Sequence, residues 1–576
     1  MDNLDLNTFA PSSYSQWLSS PALSDAERLE LESIIDDERE IESRFFALPE
    51  FGTAGLRSVM GVGLTRMNIH VVRWTTQAFA EIITERNAAP TVVICHDCRI
   101  NSREFSIEAA RVLAGNGIRV LLFDDMRPTP ELSFAVREYG AAAGINITAS
   151  HNTSEYNGYK VYGPSGAQLN TADASKVARR MAELDVFASP KIADYDDAVS
   201  RGLIVALGGE TDEKFLARVL ELSSGDRSAA ENLSIVYTPF NGAGRVLVPE
   251  ALRRAGFASL HCVAEQMIPD GRFPTVRSPN PENPESFALA ETLAKDIGAD
   301  IIIGTDPDAD RIAVVARHNG VYTHISGHAT GALLLDYRLQ TLKNAGALPT
   351  NAVALKTIVT TDLARLVAEY HGARSEDTFT GFKFIAERRD ALESSGEGAV
   401  VFAYEESYGY MAGDFTRDKD AVSAALLLAE CAAHCKSRGM TLIDALIALY
   451  ERHGYHAEET VNLVMPGVDG ITKMRQLMKI LRDEPPADIA GTPVISHSDY
   501  RKGITYGADG ETALPIRGSD VLQFDLADGT RILVRPSGTE PKIKVYVLAK
   551  GADMRDATSR AIACADWAEA LPKKEL

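Results

Sequence analysis

The chain has 576 residues, 45% hydrophobic and 24% charged, too many for one hydrophobic core, so it should divide into about four domains. With 59 Lys and Arg against 80 Asp and Glu, its net charge of −21 disfavours broad attraction to nucleic acid or anionic lipid, and an anionic ligand needs a locally basic pocket. The opening stretch MDNLDLNTFAPSSYSQW lacks a basic or apolar leader, and no uninterrupted apolar run reaches membrane-spanning length; the expectation is a cytoplasmic protein with no nucleic-acid or membrane partner.

In chain order, residues 25–48 carry apolar side chains at helical spacing and predict one amphipathic helix. Then TVVICHD, SREFSIEAARVLAGNG, RVLLFDD, TPELSFAVREYG and AAAGINITAS alternate β-rich and helical runs, the pattern of consecutive βαβ units and a mainly parallel sheet. Six cysteines are too few to staple a chain of this size. Cys95 and Cys98 form a Cys-x-x-Cys pair, but no second ligand pair stands at zinc-like spacing, so they read as incidental thiols in a strand-end loop.

The alternation recurs from LSIVYTPFNGAG to ADIIIGTDPDADRIAVV, and again from AVALKTIVTTDLARLVAEYHG through GAVVFAYEESYGY to the helix AVSAALLLAECAAHC. Loops between blocks are expected near 195–212, 318–325 and 452–460. The last block reads as strands VLQFDLA, TRILVRPS and KIKVYVLAK with a final helix, a small α+β domain with a mostly antiparallel sheet. The expected division is 1–205, 206–320, 321–455 and 456–576: three related α/β domains with mixed, mainly parallel sheets, then an α+β domain.

Open α/β sheets bind ligands at the carboxyl ends of their parallel strands, and the chemistry-bearing motifs fall in such loops or in the last domain's loop. Thr148-Ala149-Ser150-His151-Asn152 offers a hydroxyl that His151 and Lys160 could activate, though a Ser-His pair alone is also a plain polar turn. Asp306, Asp308 and Asp310 stand at i, i+2 and i+4, which crowds three negative charges into one turn unless a hard cation sits among them. Oxygen-only ligation points to Mg²⁺ before Ca²⁺ or Mn²⁺, and the continuation Arg-Ile-Ala-Val-Val does not complete an EF-hand. Glu405, Glu406 and Ser407 suit sugar hydroxyls, and the loop from Arg535 to Lys542 suits a phosphate cradle, yet either could be a simple turn. Arg57 after FGTAGL and Lys383 in TGFKF each place a cation beside glycine.

Taken in order, FGTAGLR, TASHN, GTDPDADR, TGFKF, EES and RPSGTEPK resemble the full motif set of the α-D-phosphohexomutases and span residues 51–546. YEESYGY, the segment Arg417–Val422 and the N-terminal helix look most like the long, phosphopentomutase-related bacterial phosphoglucomutase branch. The resemblance implies four domains around one cleft, the last of TATA-binding-protein-like fold. It implies that Ser150 is the phosphorylated residue and that Asp306, Asp308 and Asp310, with a phosphoserine oxygen, hold one Mg²⁺ per chain. Arg57, His151, Lys160 and Arg311 would line the phosphoserine site, and Lys383 would act as general acid or base. Glu405 and Ser407 would grip sugar hydroxyls; Arg535, Ser537, Gly538 and Thr539 would hold the substrate's remote phosphate.

The implied reaction interconverts α-D-glucose 1-phosphate and glucose 6-phosphate through a phosphoserine enzyme and glucose 1,6-bisphosphate, which must turn around between transfers, a task for a last domain able to hinge. The partner is a small sugar phosphate and the protein a monomer or small homo-oligomer. Mannose or pentose phosphate is the alternative substrate; a metal-dependent sugar phosphatase or a non-catalytic sugar-phosphate binder is the alternative of another kind. Ser58, Thr153, Asn241 and His328 depart from the residues usual at their positions but remove no proposed phosphate, metal or nucleophile group.

Overall fold

The computed structural model describes residues 6–48, 55–225, 227–465, 470–537 and 542–575. They form two compact units, one made of Met1–His324 with Gly409–His434, the other of Ile325–Tyr408 with Cys435–Leu576.

The first unit holds two sheets. Strands β1 (Leu56–Val59), β2 (Thr91–His96), β3 (Arg119–Phe123), β4 (Ala143–Ile147), β5 (Tyr156–Tyr162) and β6 (Ile204–Leu207) lie in the order β1-β5-β4-β2-β3-β6. The pairs β4/β2, β2/β3 and β3/β6 are parallel, and β5 runs antiparallel to β4 and β1. Apolar runs such as TVVICH are buried almost throughout, as strands covered on both faces must be. The second sheet orders β7 (Ser234–Thr238), β8 (Ser259–Cys262), β9 (Ile301–Thr305), β10 (Ile312–His318) and β11 (Val321–Ile325) as β11-β10-β9-β7-β8, with β9/β7 and β7/β8 parallel. The short strand β15 (Gly409–Met411) and the helix Ala421–Ser437 follow later in the chain.

In the second unit, β13 (Arg374–Thr378), β12 (Ala352–Thr357) and β14 (Ala399–Glu405) pair in parallel in that order. The carboxyl-terminal sheet runs β16 (Tyr455–Val464), β23 (Lys542–Gly551), β22 (Arg531–Pro536), β21 (Leu522–Leu526), β18 (Thr492–Asp499), β19 (Ile504–Gly507) and β20 (Gly510–Ala513), all antiparallel, with β17 (Asp488–Ile489) beside β18. Three α/β sheets followed by one antiparallel α+β sheet is the expected fold class. No described helix is long and apolar enough to cross a membrane.

Several expectations need correction. The single helix over 25–48 is two, Asp25–Glu32 and Glu38–Phe45, preceded by a third at Leu6–Leu18. The break follows from a second N-cap inside the periodic stretch: the Asp37 side chain accepts from Glu40 N at 3.1 Å, just as Ser24 and Glu27 form a capping box at the first start. The segments expected as loops contain structure: 195–212 holds a short helix and β6, 318–325 holds β11, and 452–460 opens β16. These strands are short or carry charge on one face, so their apolar signal is weak. The same holds for β18 to β20, which the sequence reading did not anticipate.

Candidate active site

Three residues after β2, Arg99 fixes the loop that carries Ser150. Its guanidinium is buried, pairs with Asp97 at 3.3 Å, and donates to the carbonyls of Ser150 at 2.6 Å, Thr153 at 2.8 Å, Tyr156 at 2.9 Å and Asn152. Asp97 in turn accepts from the Thr148 hydroxyl at 2.6 Å, and Thr148 Oγ1 accepts from Ser150 N at 2.8 Å. Held at both ends, Ser150 adopts a left-handed backbone with φ 51°, a conformation that costs a non-glycine residue roughly 1–3 kcal/mol and persists only where its surroundings enforce it. Gly158 of β5 lets Thr148 approach, since a Cβ there would sit 2.5 Å from the Thr148 carbonyl.

The loop after β9 meets this serine. Ser150 Oγ donates to Asp306 Oδ2 at 2.7 Å, and His151 Nδ1 lies 3.3 Å from Ser150 Oγ. With the hydroxyl proton committed to Asp306, the imidazole nitrogen is the donor in that second contact. Burial and the guanidiniums of Arg311 and Arg57 hold His151 well below the usual imidazole range, so it is neutral. Asp306 Oδ1 accepts from the amides of Asp310 at 3.1 Å and Arg311 at 3.0 Å. Ala309, between them, is left-handed with φ 49°, and Gly242 leaves room for Pro307, whose Cα would lie 2.4 Å from an added Cβ.

Asp306, Asp308 and Asp310 are all buried, with one oxygen of each within 4.8 Å of the others; among the described residues they form the one such group of three ligand-type side chains. Lys160 Nζ donates to Asp308 at 2.7 Å and to Asp310 at 3.3 Å, and Lys419 pairs with Asp310 at 3.2 Å. Burial pulls the Lys160 ammonium down, but the two carboxylates outweigh it and raise it above its ordinary value. Burial, together with Asp308 and Asp310, pushes the Asp306 carboxyl well above the carboxylate range. Two further oxygens, Asp308 Oδ1 and Asp310 Oδ1, are buried without a hydrogen-bond partner. Such a cluster is electrostatically incomplete and fits a hard divalent cation taking oxygen ligands. Arg311 also reaches Glu282 at 2.9 Å, and Arg57 donates to Asn152 at 3.0 Å.

The first unit thus brings Ser150, His151, Lys160, Arg311 and the three aspartates into one contact network, with Arg57 attached through Asn152. The sequence reading missed Arg99, Asp97 and Lys419. It weighed CHDC for its thiols and read them as incidental; Cys95 donates to the Arg127 carbonyl, and the signal lay in the Asp97 and Arg99 around Cys98. Lys419 stood in a segment read only as a branch marker; its neighbour Asp418 accepts from Tyr162 at 3.0 Å.

In the second unit, Glu405 ends β14 buried, and Gly327 is required beneath the next residue because a Cβ there would lie 2.0 Å from the Glu406 carbonyl. Tyr408 is left-handed at φ 64°. Lys383 sits in the first turn of the helix Phe382–Ser395, buried, its ammonium 4.8 Å from the Phe384 ring centroid, and desolvation lowers its pKa despite Glu387. Arg535 is in β22 opposite Lys544, and Ser537 N donates to the Lys542 carbonyl at 2.8 Å. Gly538 and Thr539 lie outside the described residues.

Models of the phosphoglucomutase/phosphomannomutase α/β/α domains I, II and III match residues 48–186, 213–320 and 326–453, and the model of the C-terminal domain matches 477–558. The phosphoglucomutase of Staphylococcus aureus strain N315 is 36% identical over 537 residues, covering 91% of this chain and 94% of that one. The chain belongs to the phosphoglucomutase/phosphomannomutase family. Within this family the S. aureus bovine RF122 phosphoglucomutase is also 36% identical, over 520 residues, covering 88% and 91% of the two chains. Solved structures share the fold: Paramecium parafusin, a phosphoglucomutase in open form, at TM-score 0.65 and 18% identity, covering 91% of this chain and 96% of that one, and a Burkholderia thailandensis family protein at 0.64 and 19%, covering 90% and 97%. Family membership makes the chain a phosphohexomutase-type isomerase.

Three of the four departures from family usage have local reasons. Ser58 Oγ donates to the Thr65 carbonyl, and Asn241 takes φ 65° while its amide caps Glu265 and Ile268 carbonyls; nothing in the structure explains Thr153. His328 Nδ1 accepts from Thr361 N at 3.1 Å.

Proposed function

We propose that the chain interconverts α-D-glucose 1-phosphate and glucose 6-phosphate, with phosphorylated Ser150 as donor and glucose 1,6-bisphosphate as the intermediate that turns around. The observation that carries this reading is the 2.7 Å contact of Ser150 Oγ with Asp306 beside two buried carboxylate oxygens that have no hydrogen-bond partner: a hydroxyl placed against a cation site. The glucose assignment is supported by the S. aureus relatives, which are named phosphoglucomutases.

Asp306, Asp308 and Asp310, with an oxygen of the phosphorylated Ser150, would hold one Mg²⁺, which the all-oxygen donor set favours. When bound, it supplies charge neutralisation at the transferring phosphoryl oxygens. Lys160 and Arg311 add fixed positive charge at the same loop, which lowers the cost of charge developing on the phosphoryl group. His151, held neutral, or Lys383, with its pKa lowered by burial, would take the proton from the attacking sugar hydroxyl. Arg57 would bind the phosphoserine, Glu405 and Ser407 the sugar hydroxyls, and Arg535, Ser537, Gly538 and Thr539 the remote phosphate, whose binding aligns the reacting oxygen.

The test is phosphorus NMR of the protein with Mg²⁺, a trace of glucose 1,6-bisphosphate and, separately, the 1-phosphates of glucose, mannose and ribose. Fastest conversion of the glucose ester, without free phosphate, is expected. Preference for another sugar replaces the substrate, and phosphate release replaces the reaction.

A further inference from the structure

Asp308 is gripped by a residue at the start of the helix that follows β3, and that grip is not accounted for by phosphate, sugar or cation binding as described above. Thr129 opens the helix Thr129–Glu138. Its amide donates to the Asp308 carbonyl at 2.8 Å, and its hydroxyl donates to Asp308 Oδ2 at 2.8 Å. Asn146, in the middle of β4, donates from Nδ2 to Thr129 Oγ1 at 2.8 Å. Thr129 and Asn146 are both fully buried.

The chain of donors runs one way. An amide NH₂ only donates, so the Thr129 oxygen accepts from Asn146 and its single proton must point at Asp308. Asp308 Oδ2 therefore receives two donors, Thr129 Oγ1 and Lys160 Nζ at 2.7 Å, while Oδ1 is buried with none. Lys160 arrives from β5 directly opposite Asn146 in the strand register, so both donors hang on the same strand pair. The carboxylate is thereby oriented with one oxygen satisfied by protein and the other left for an external ligand.

We infer that Thr129, with its hydroxyl aimed by Asn146, is a positioning residue for the cation: it fixes Asp308 so that Oδ1 is presented for ligation, tying the metal loop after β9 to the sheet that carries Ser150. The inference rests on the reading of the aspartate cluster as a metal site. Outer partners that orient ligating carboxylates typically govern 10- to 100-fold in metal affinity, and without the Thr129 hydroxyl Lys160 alone holds Oδ2.

The test uses the full chain and Mn²⁺ as probe, with free Mn²⁺ followed by electron paramagnetic resonance and folding checked by thermal melts. Thr129→Val, which keeps volume and removes the hydroxyl, is expected to weaken Mn²⁺ binding roughly 10- to 100-fold, while Thr129→Ser stays close to wild type. Thr129→Ala is the second probe should the valine variant not fold, and is expected to weaken binding likewise. Wild-type affinity in a folded Thr129→Val or Thr129→Ala protein overturns the inference, as does equal weakening in Thr129→Ser, which would trace the effect to packing. A wild-type protein that binds no Mn²⁺ at all overturns the metal reading itself, and this inference with it.

Discussion

Ser150 and Ala309 both take the left-handed backbone that suits glycine, and each stands at the tip of a loop carrying a reacting or ligating group. Sustaining that strain at two adjoining loops is understandable if it aims Ser150 Oγ at the aspartates. Ser150→Ala is accordingly expected to lower kcat by at least ~1000-fold while leaving the melting temperature nearly unchanged, measured by steady-state kinetics beside a thermal melt. A second residue-scale prediction concerns His328, whose Nδ1 accepts an amide proton and so must be neutral; burial, then the Lys356 charge, lowers it to about 3. A base depressed on folding contributes stability above its unfolded value of about 6.5, and that contribution is lost as pH falls from there toward about 3. His328→Gln, which retains an acceptor, should flatten the stability-versus-pH curve between pH 6 and 4 by about 1.4 kcal/mol per pH unit, read from chemical denaturation; an unchanged slope would contradict the assignment. The identities of Ser150, the three aspartates and His151 were legible in the sequence because their chemistry is compressed into short motifs. Their strained backbones were not, since neither serine nor alanine advertises positive φ.

At the scale of elements, the loop between β4 and β5 is organised by a residue from the end of a different strand. Arg99 gathers four carbonyls and Asp97, a planar fork of donors that lysine does not reproduce. Arg99→Lys is expected to retain a folded protein but lose ~100-fold in kcat, since a displacement of about 1 Å at a reacting atom costs that much. Unaltered kcat would show that the Ser150 loop holds its shape without this residue. The sequence showed strand, loop and helix here, but not that Arg99 turns back on a segment more than fifty residues later; no local periodicity encodes such a contact. The N-terminal helices teach the converse: a continuous apolar period from 25 to 48 hid the local competition of Asp37, whose side-chain cap begins a second helix after the first has ended at Glu32.

In the whole molecule, the second unit joins the third α/β sheet to the carboxyl-terminal sheet through both charge and apolar packing. Asp362 binds Arg531 at 3.2 Å and Lys550 at 3.1 Å, while Ile358, Val359 and Phe379 pack with Tyr500, Val521, Leu533, Tyr546 and Leu548. Asp362→Ala leaves Lys550 without its carboxylate and Arg531 with Asp525 alone, and should cost the unit about 1–3 kcal/mol, seen as a lower melting temperature and faster hydrogen exchange along Lys542–Gly551. The order of sheets was legible from alternating β and helical runs; this joint was not, because Asp362 looks like any helix-start carboxylate until β22 and β23 are set beside it. The account as a whole stands on Ser150 as carrier of the transferred phosphate. The direct measurement is to expose the full-length protein to glucose 1,6-bisphosphate radiolabelled in its phosphates, map the labelled peptide, and then chase with unlabelled glucose 1-phosphate. The account predicts label on the peptide containing Ser150, absent in Ser150→Ala, that leaves with the sugar bisphosphate on the chase; label on another peptide, or label lost only as inorganic phosphate, would contradict it.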